Sequence, residues 1–407
     1  MLNFASIKGN NNKFYQLTLT KKTDTEYVLT SEFGRVGTTA QRSEKFFCTE
    51  EDGIKNFEKI LKSKIKKGYA EIELRGADAS AEADSTTQDT EEVTTETFDG
   101  ELGKVYAMLR NFTKDAKTHV KKNITTPLGA LSDNQLERAL AVLASLENAL
   151  HSPTKPDDTL LYTLSDDFYR LIPIRFNSYS KSTLLIDSLE KTAKHRDLID
   201  VMRSVVVSGV DTTMADVYSN LGFTLTPLDT EHTEHLYIKN YVENTQSNHH
   251  RFKIQVENIF KVDNPLWDAQ FNPNGLETTY LFHGSRAENF LRIFQSGLKI
   301  KPSGIYHTGS MFGNGIYFAD QSSKSANYTW NFSRQSTRKG EKFYMLVCDV
   351  ATGAMKDYTN AQTLLTKAPQ GYDSVRGVKG SSLLHNEIIV YNENQSNIKY
   401  VVEFTAS

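Results

Sequence analysis

Residues 281–290 read LFHGSRAENF, and they place His283, Gly284 and Ser285 where an apolar run gives way to a helical pattern. A serine beside a histidine could act as a nucleophile, and a histidine could ligate a metal. The same residues could also clamp a nucleotide. A polar turn that only links a strand to a helix is the fourth possibility.

The first two chemistries find little support nearby. A nucleophile elbow requires G-x-S-x-G, but Ser285 is flanked by His283 and Ala287. HGS is not the H-E-x-x-H of a zinc protease, and nothing else in the chain supports the two histidines of HTEH at 232–235 as ligands. We interpret those two histidines, and also His249-His250, as solvated surface residues.

Glycines also punctuate residues 309–315, GSMFGNG, and loops of this kind can cradle phosphates. The segment lacks the GK[ST] ending of a P-loop and the G-x-G-x-x-G spacing of a dinucleotide fold. A P-loop or Rossmann site is therefore disfavoured, and on these residues alone a simple turn is the better interpretation.

The elements that would position these residues lie in the last part of the chain. Apolar runs predict strands at 280–282, 343–350, 387–391 and 398–404. A short helical face with Phe290, Ile293 and Phe294 follows the HGS motif, and Gly297 is placed to end it. This part of the chain is therefore expected to be rich in strands.

Residues 101–222 are mostly helical in pattern. TPLG at 126–129 breaks the chain, and Ser132-x-x-Gln135 predicts a capping-box start for the next helix. Further helices are predicted over 160–172 and 183–207. Leucines at three- and four-residue steps predict a buried stripe, namely Leu136, Leu140, Leu143, Leu146 and Leu150.

Residues 1–75 alternate like an antiparallel sheet, with strands predicted at 13–19 and 26–29 and a helix over 51–66. They carry 14 Lys/Arg against 10 Asp/Glu. Residues 76–100 carry eight acidic residues, no basic one and few large apolar side chains. Such a segment cannot bury enough surface to offset its ordering entropy, so it predicts a disordered linker and a domain boundary.

Composition is that of a globular protein without a disulfide scaffold. The 407 residues suffice for two or three domains, and 24% charged with 38% apolar residues is ordinary. Two cysteines, Cys48 and Cys348, suit a reducing compartment and exclude a cysteine-based zinc finger. No apolar run approaches the ~18 residues that a membrane span needs, and the N-terminus has no segment typical of a secretory signal.

Three groups of phrases resemble the DNA-dependent poly(ADP-ribose) polymerases. NKFYQLTL, FGRVGT and KKGY resemble the WGR domain, and PLGALSDNQLERALAVL and LSDDFYRLIPIRF resemble the helical regulatory domain. YLFHGSR, MFGNGIYFADQSSKSANY and LLHNEIIVY resemble the catalytic domain. The resemblance implies a multidomain α+β chain: a small antiparallel β/α WGR domain at 1–75, the acidic linker at 76–100, an all-α regulatory domain at 101–222, and a mixed α+β ADP-ribosyltransferase domain of diphtheria-toxin-like fold at 223–407.

The resemblance also implies the chemistry, because His283, Tyr317 and Glu387 reproduce the His-Tyr-Glu set of this family. ADP-ribose transfer breaks the bond between nicotinamide and its ribose, and positive charge develops on the sugar as in glycoside hydrolysis. Glu387 is expected to bind the ribose 2′-OH and to stabilise that charge more strongly in the transition state than in the ground state.

Further roles around the substrate follow from the same resemblance. The backbone of Gly284 would pair with the nicotinamide carboxamide, and Ser285 would add a hydroxyl contact. Tyr328 and Tyr317 would enclose the ring. His283 would bind the adenosine ribose. The remaining residues of the predicted cofactor-binding set are Ser325, Lys299 and Asn289.

The predicted DNA-binding residues are Phe33, Gly34 and Arg35. Phe33 stands where the family has the tryptophan that names the WGR domain, so the aromatic platform is kept and the indole N–H is lost. Arg35 is predicted to contact a phosphate or another domain. Other departures from the family are Lys299 for an arginine, Asn314 for a lysine and His385 for a tyrosine.

We therefore predict a DNA-break-activated poly(ADP-ribose) polymerase that modifies protein acceptors, itself included, and elongates the polymer. NAD+ is its substrate, with no permanently bound cofactor and no metal. A monomer inside the cell and away from membranes is expected, in the nucleus of a eukaryote or the cytoplasm and nucleoid of a bacterium. The regulatory domain would cover the substrate cleft. A mono-ADP-ribosyltransferase and a non-catalytic DNA-end adaptor remain the alternatives.

Overall fold

The computed structural model describes residues 1–73, 100–123, 131–152, 156–176, 180–207, 213–250, 252–300, 311–330, 340–380 and 383–407. The predicted linker up to residue 99, the TPLG break and residues 309–310 of the glycine loop lie outside these ranges. The chain divides into two compact units, one of residues 1–86 and 118–210 and the other of residues 87–117 and 211–407.

The N-terminal unit contains one antiparallel sheet in the order β4-β3-β2-β1-β5. Its strands are β1 (Leu2–Ser6), β2 (Asn11–Thr23), β3 (Glu26–Arg35), β4 (Gln41–Phe47) and β5 (Ala70–Glu71). Helices in the first 210 residues are α1 (Glu50–Lys66), α2 (Gly100–Asn123), α3 (Asp133–Leu150), α4 (Asp158–Leu171), α5 (Lys181–Leu184) and α6 (Leu189–Val207). The boundary between the two units falls within α2.

Helix α1 shows both charge and capping signals. The Thr49 hydroxyl caps the helix by accepting a hydrogen bond from the Asp52 N–H at 3.3 Å. Acidic residues lie in the first turn and lysines in the last turn, which is the distribution that the helix dipole favours. Its apolar residues are less buried than their period predicts, since Ile54 is 44% exposed. The buried residue of this helix is Gly53, whose missing side chain leaves room for Leu19 of β2.

Helix α3 begins at the predicted cap, where the Ser132 hydroxyl accepts the Gln135 N–H at 3.1 Å. A capping box also requires the Gln135 side chain to bond back to the N-cap residue, and this part of the prediction is wrong. The Gln135 side chain instead donates to the Leu171 carbonyl at 2.8 Å. The leucine stripe is confirmed: Leu136, Leu143 and Leu146 are fully buried, and Leu140 and Leu150 pack partly buried against the same core.

The single helix predicted over 183–207 is wrong, because the chain forms α5 and α6 with an extended break between them. At the break the Ile186 N–H bonds to the Ser165 hydroxyl of α4 at 3.1 Å. The Lys191 ammonium then bonds to the Ser182 and Leu185 carbonyls. These side-chain partners replace the backbone bonds that a continuous helix would have made.

The C-terminal unit is built on two sheets, of orders β6-β7-β14-β10-β8 and β11-β12-β13-β9. Its helices are α7 (Met214–Ser219), α8 (Thr233–Asn244), α9 (Pro265–Gln270), α10 (Phe290–Ser296) and α11 (Ser322–Ala326). Its strands are β6 (Thr224–Pro227), β7 (Ile254–Asp263), β8 (Thr278–Gly284), β9 (Ile316–Phe318), β10 (Phe343–Ala351), β11 (Met355–Tyr358), β12 (Ser374–Gly377), β13 (Glu387–Val390) and β14 (Ser396–Ala406). The predicted strands and the multidomain α+β class are confirmed.

Three clusters of buried apolar residues fill the described part of this unit. Phe112 of α2 is fully buried and lies with its ring 4.7 Å from those of Phe290 and Tyr344, so the first part of α2 belongs to this core. On α8, His235 is 3% exposed and shares its helix face with Ile238 and Val242. The interpretation of His235 as a solvated residue is therefore wrong.

Candidate active site

The two sheets of the C-terminal unit meet beside the HGS motif. Phe282 of β8 exchanges two backbone hydrogen bonds of 2.9 Å with Ala319, which follows β9. Because β8 is an edge strand and residues alternate along it, the backbone N–H and C=O of Gly284 point to the same side as those of Phe282, away from β10. Gly284 thus presents a donor and an acceptor at the sheet edge.

Helix α11 lies so close to Gly284 that no side chain fits there. A Cβ on this residue would stand 1.8 Å from the Ser325 carbonyl oxygen. The buried Ser325 hydroxyl donates to the Phe282 carbonyl at 3.0 Å, which fixes the helix on the strand. This contact gives Ser325 a structural partner on the wall of the site.

His283 and Ser285 flank this glycine, and both are held by neighbours. The Nδ1 of His283 donates to the Tyr317 carbonyl at 2.9 Å, which leaves Nε2 as the acceptor of the neutral ring. Burial lowers the pKa of His283, partly offset by that carbonyl, so the ring is neutral at pH 7. The Asn289 amide donates to the Ser285 hydroxyl at 3.0 Å and orients it.

Tyr317 is fixed by the loop that precedes it. Its hydroxyl donates to the Gly313 carbonyl at 2.7 Å and accepts the Phe312 N–H at 3.0 Å. Burial, and then the charge of Glu387, raise the pKa of both Tyr317 and Tyr328. Both phenols therefore lie within electrostatic reach of one carboxylate. Tyr328 keeps 42% of its surface exposed.

Glu387 begins β13 and is only 7% exposed. Its Oε1 accepts the Lys324 ammonium at 2.8 Å, and Lys324 also donates to the Asn386 carbonyl at 2.9 Å. Its buried Oε2 has no hydrogen-bond partner among the residues that the structure describes. One carboxylate oxygen is therefore anchored, and the other keeps acceptor capacity that no described group uses.

Lys324 is the residue that the sequence reasoning missed. It lies in SKSANY, two positions after Ser322 and one before Ser325, but its partner is 63 positions away. Burial lowers the pKa of Lys324, and the Glu387 charge opposes that shift. The sequence signal for Lys324 was its place next to Ser325, in the same short helix. The sequence spacing gave no indication that Glu387 is its partner.

Lys299 stands apart from this group. Its ammonium lies 2.7 Å from the Glu393 carboxylate and its side chain is 53% exposed. The Glu393 carboxylate also accepts the Ile300 N–H at 3.0 Å. The described contacts of Lys299 therefore tie it to the turn before β14, and its predicted role in NAD+ binding stays a prediction.

The predicted DNA-binding residues lie on the sheet of the N-terminal unit. Phe33 stacks on Tyr15 with ring centroids 5.3 Å apart, and the Lys64 ammonium lies 3.6 Å from the Tyr15 centroid. Burial, then Lys67 and Lys13, lower the pKa of Lys64, so positive charge is concentrated there. Arg35 donates to the Asn10 carbonyl and side chain at 3.1 and 3.0 Å.

Within the residues that the structure describes, no three His, Cys, Asp or Glu side chains are grouped to hold a metal ion. No helix among them is both long and apolar enough to cross a bilayer.

Comparison with known proteins gives three family matches. The WGR domain matches residues 1–75, the poly(ADP-ribose) polymerase regulatory domain matches 104–217, and the poly(ADP-ribose) polymerase catalytic domain matches 232–381. The catalytic match ends before Glu387, so that residue stands on its motif and its geometry.

Relatives align with most of this chain. Poly [ADP-ribose] polymerase 2-A of Oryza sativa subsp. japonica is 26% identical over 98% of this chain and 69% of its own length. Protein mono-ADP-ribosyltransferase PARP3 of Homo sapiens is 28% identical over 99% and 86%. Poly [ADP-ribose] polymerase 1 of Danio rerio is 32% identical over 68% and 30%. The chain therefore belongs to the poly(ADP-ribose) polymerase family, with WGR, regulatory and catalytic domains in that order.

Proposed function

We propose that this chain is a DNA-break-activated poly(ADP-ribose) polymerase, which transfers ADP-ribose from NAD+ to protein acceptors, itself included, and extends the polymer. The observation that carries the proposal is the buried Glu387 carboxylate. One of its oxygens is anchored by Lys324, and the other has no partner in the described ranges. Burial, and then the charge of this carboxylate, raise the pKa of Tyr317 and of Tyr328.

NAD+ binding would use the outward edge of β8. The Gly284 C=O accepts from the nicotinamide carboxamide and its N–H donates to the same group, with the oriented Ser285 hydroxyl as a third contact. Tyr328 stacks on the ring and the fixed Tyr317 forms the opposite wall. The neutral His283 Nε2 accepts a hydrogen bond from a ribose hydroxyl of the adenosine half.

Catalysis would then consist of charge stabilisation at the nicotinamide ribose. The bond from its C1′ to nicotinamide breaks, the electron pair leaves with nicotinamide, and the sugar becomes cationic. Glu387 Oε2 accepts the 2′-OH and faces the growing positive charge in a site with little water, where such an interaction is strong. The oxygen of an acceptor hydroxyl attacks C1′ and forms the new glycosidic link, and the hydroxyl proton passes to water.

DNA breaks would bind the WGR domain at 1–75. The helical segment would restrain the catalytic domain as long as no DNA break is bound. Phe33, which is half-buried and stacks on the buried Tyr15, would offer aromatic surface to a DNA end, and the basic residues around the pair would offer positive charge, namely Lys13, Lys64, Lys67 and Arg35. We propose that the chain acts inside the cell, where this partner is found. The domain limits at 76–100, 101–222 and 223–407 are part of this proposal.

Single-unit transfer is the second candidate, because the human relative is named a mono-ADP-ribosyltransferase. The carboxylate that binds the 2′-OH would serve both reactions, so Glu387 alone does not separate them. Gel mobility of the self-modified protein does: a smear indicates polymer, and a discrete small shift indicates single units.

The substitution Glu387→Gln tests the catalytic proposal. It keeps the shape and removes the charge, so NAD+ turnover with DNA should fall by about a hundredfold or more, while a non-hydrolysable NAD+ analogue still binds. Glu257→Gln, at an exposed carboxylate of the same unit, is the matched control and should retain turnover. Wild-type polymer from the Glu387→Gln protein would contradict the assignment.

A further inference from the structure

Three histidines gather beside the Lys324–Glu387 pair. His249 and His250 follow α8, and His385 precedes β13, where this family often has a tyrosine. The His385 ring centroid lies 4.8 Å from that of His250 and 5.9 Å from that of His249. His250 is half-buried, so its interpretation as a surface residue is wrong, whereas His249 is exposed.

His385 is unusual among these rings. It is only 5% exposed, and neither of its ring nitrogens has a hydrogen-bond partner in the portion of the chain that is described. A buried imidazole without partners gains nothing there from its polarity. What it contributes is a ring that packs on His250.

The packed rings connect the two segments that carry the ion pair. Nδ1 of His250 is hydrogen-bonded at 2.8 Å to the hydroxyl of Ser323, which also accepts the Ser247 N–H at 2.8 Å. Ser323 directly precedes Lys324 on α11. On the other side, His385 directly precedes Asn386, whose carbonyl accepts Lys324, and Glu387 follows.

We propose that His250 and His385 are positioning residues that hold Lys324 against Glu387 while their rings are neutral, and that acid releases this arrangement. The proposal rests on the proposed function and adds a pH response to the same site. The two rings cannot both carry charge at this separation without repelling each other and the neighbouring lysines.

Every charged neighbour found for the cluster acts in the same direction. Burial lowers the pKa of His385 to about 4, with further contributions from His250, Lys324, His249 and Lys379. Burial, then His249 and Lys324, lower the pKa of His250 as well. The lysines come from α11 and from the segment between β12 and β13, and the other histidine, His249, from the segment after α8.

The pH window follows from these shifts. A His385 ring that swings into water regains its ordinary pKa of 6.5, whereas the packed ring stays neutral down to about pH 4. Between these two values, falling pH favours the displaced ring, because only that state takes up the proton. At pH 5.5 the displaced arrangement gains roughly tenfold in population relative to pH 8.

The substitution His385→Phe separates a positioning role of this ring from its titration. It keeps a flat ring against His250 and loses no hydrogen bond known for His385. The measurement is kcat for NAD+ turnover with saturating nicked duplex DNA at pH 5.5 and pH 8.0, expressed as a ratio within each protein. The control His151→Gln removes an exposed histidine from the N-terminal unit.

The expected ratio of kcat at pH 5.5 to kcat at pH 8.0 is higher for His385→Phe than for the wild type and for His151→Gln, with the roughly tenfold population gain as its upper limit. A role in folding alone would lower kcat equally at both pH values, so an unchanged ratio overturns the proposal. Absence of wild-type turnover at pH 8.0 would instead defeat the proposed function.

Hydrogen exchange of the wild type gives an independent readout if His385→Phe does not fold. After correction for intrinsic rates, backbone amides of residues 245–250 and 383–390 should be less protected at pH 5.5 than at pH 8.0. Equal protection of both segments would overturn the proposal.

Discussion

At the residue scale, Gly284 is the position with the least room for change. A Cβ there would stand 1.8 Å from a backbone oxygen of α11, and a backbone atom cannot move aside as a flexible side chain can. Gly284→Ala should therefore displace α11 with Lys324 and Ser325 on it. We expect a loss of at least about 2 kcal/mol in unfolding free energy and of NAD+ analogue binding.

Thermal denaturation and analogue titration measure these two losses. Gly380→Ala is the matched control for stability, because its Cβ would find its nearest neighbour, the Val378 carbonyl, at 3.8 Å. Wild-type analogue binding by Gly284→Ala would show that the close approach is not needed.

Residue types at this site were predictable, but their pairings were not. HGS, SKSANY and NEIIVY were assigned through their resemblance to the catalytic domain of this family, whereas the residues of HGS alone left several chemistries open. The ion pair of Lys324 with Glu387 and the packing of His250 on His385 join segments 63 and 135 positions apart. Local spacing carries no information about such contacts.

At the scale of elements, the first part of α2 contributes buried side chains to the core of the C-terminal unit. Val105, Met108, Leu109 and Phe112 are fully buried in the same core as strands of the C-terminal unit. Removing residues 101–222 as one block would therefore strip apolar core from the catalytic unit. A test of this helix needs single substitutions.

Phe112→Ala should lower the unfolding free energy of the C-terminal unit by about 3–5 kcal/mol, since a fully buried aromatic ring leaves a cavity. Leu102→Ala on the same helix, at a residue 51% exposed, should cost well under about 1 kcal/mol. Denaturant titration of both proteins measures the difference. Equal losses would mean that α2 is not packed as described.

Helix periodicity predicted α3 and α4 well because their buried residues recur mostly at three- and four-residue steps. It was wrong where a side chain from another element competes for the backbone, as Ser165 does between α5 and α6. It also could not assign His235 to the core, because an isolated polar residue gives no period. Only the face shared with Ile238 and Val242 reveals it.

At the scale of the whole molecule, the proposal is that the helical segment restrains catalysis. Leu143 of α3 is fully buried, and truncating such a leucine costs about 2–5 kcal/mol, enough to open a restraint poised within that range. Leu143→Ala should raise DNA-free NAD+ turnover and shrink the stimulation by DNA. Leu160→Ala, at a residue 44% exposed, should change neither. Unchanged DNA-free turnover in folded Leu143→Ala would make this segment a scaffold.

The central claim is that DNA breaks switch on ADP-ribose transfer from NAD+, and NAD+ turnover by the full chain with and without nicked, 5′-phosphorylated duplex DNA tests it most directly. We predict stimulation of about tenfold or more, a value typical of coupling between two sites, with a smear of self-modified protein on gels. Arg35→Ala should weaken the stimulation and leave the DNA-free rate in place. Equal turnover with and without the nicked duplex, or no nicotinamide release in either case, would contradict the account.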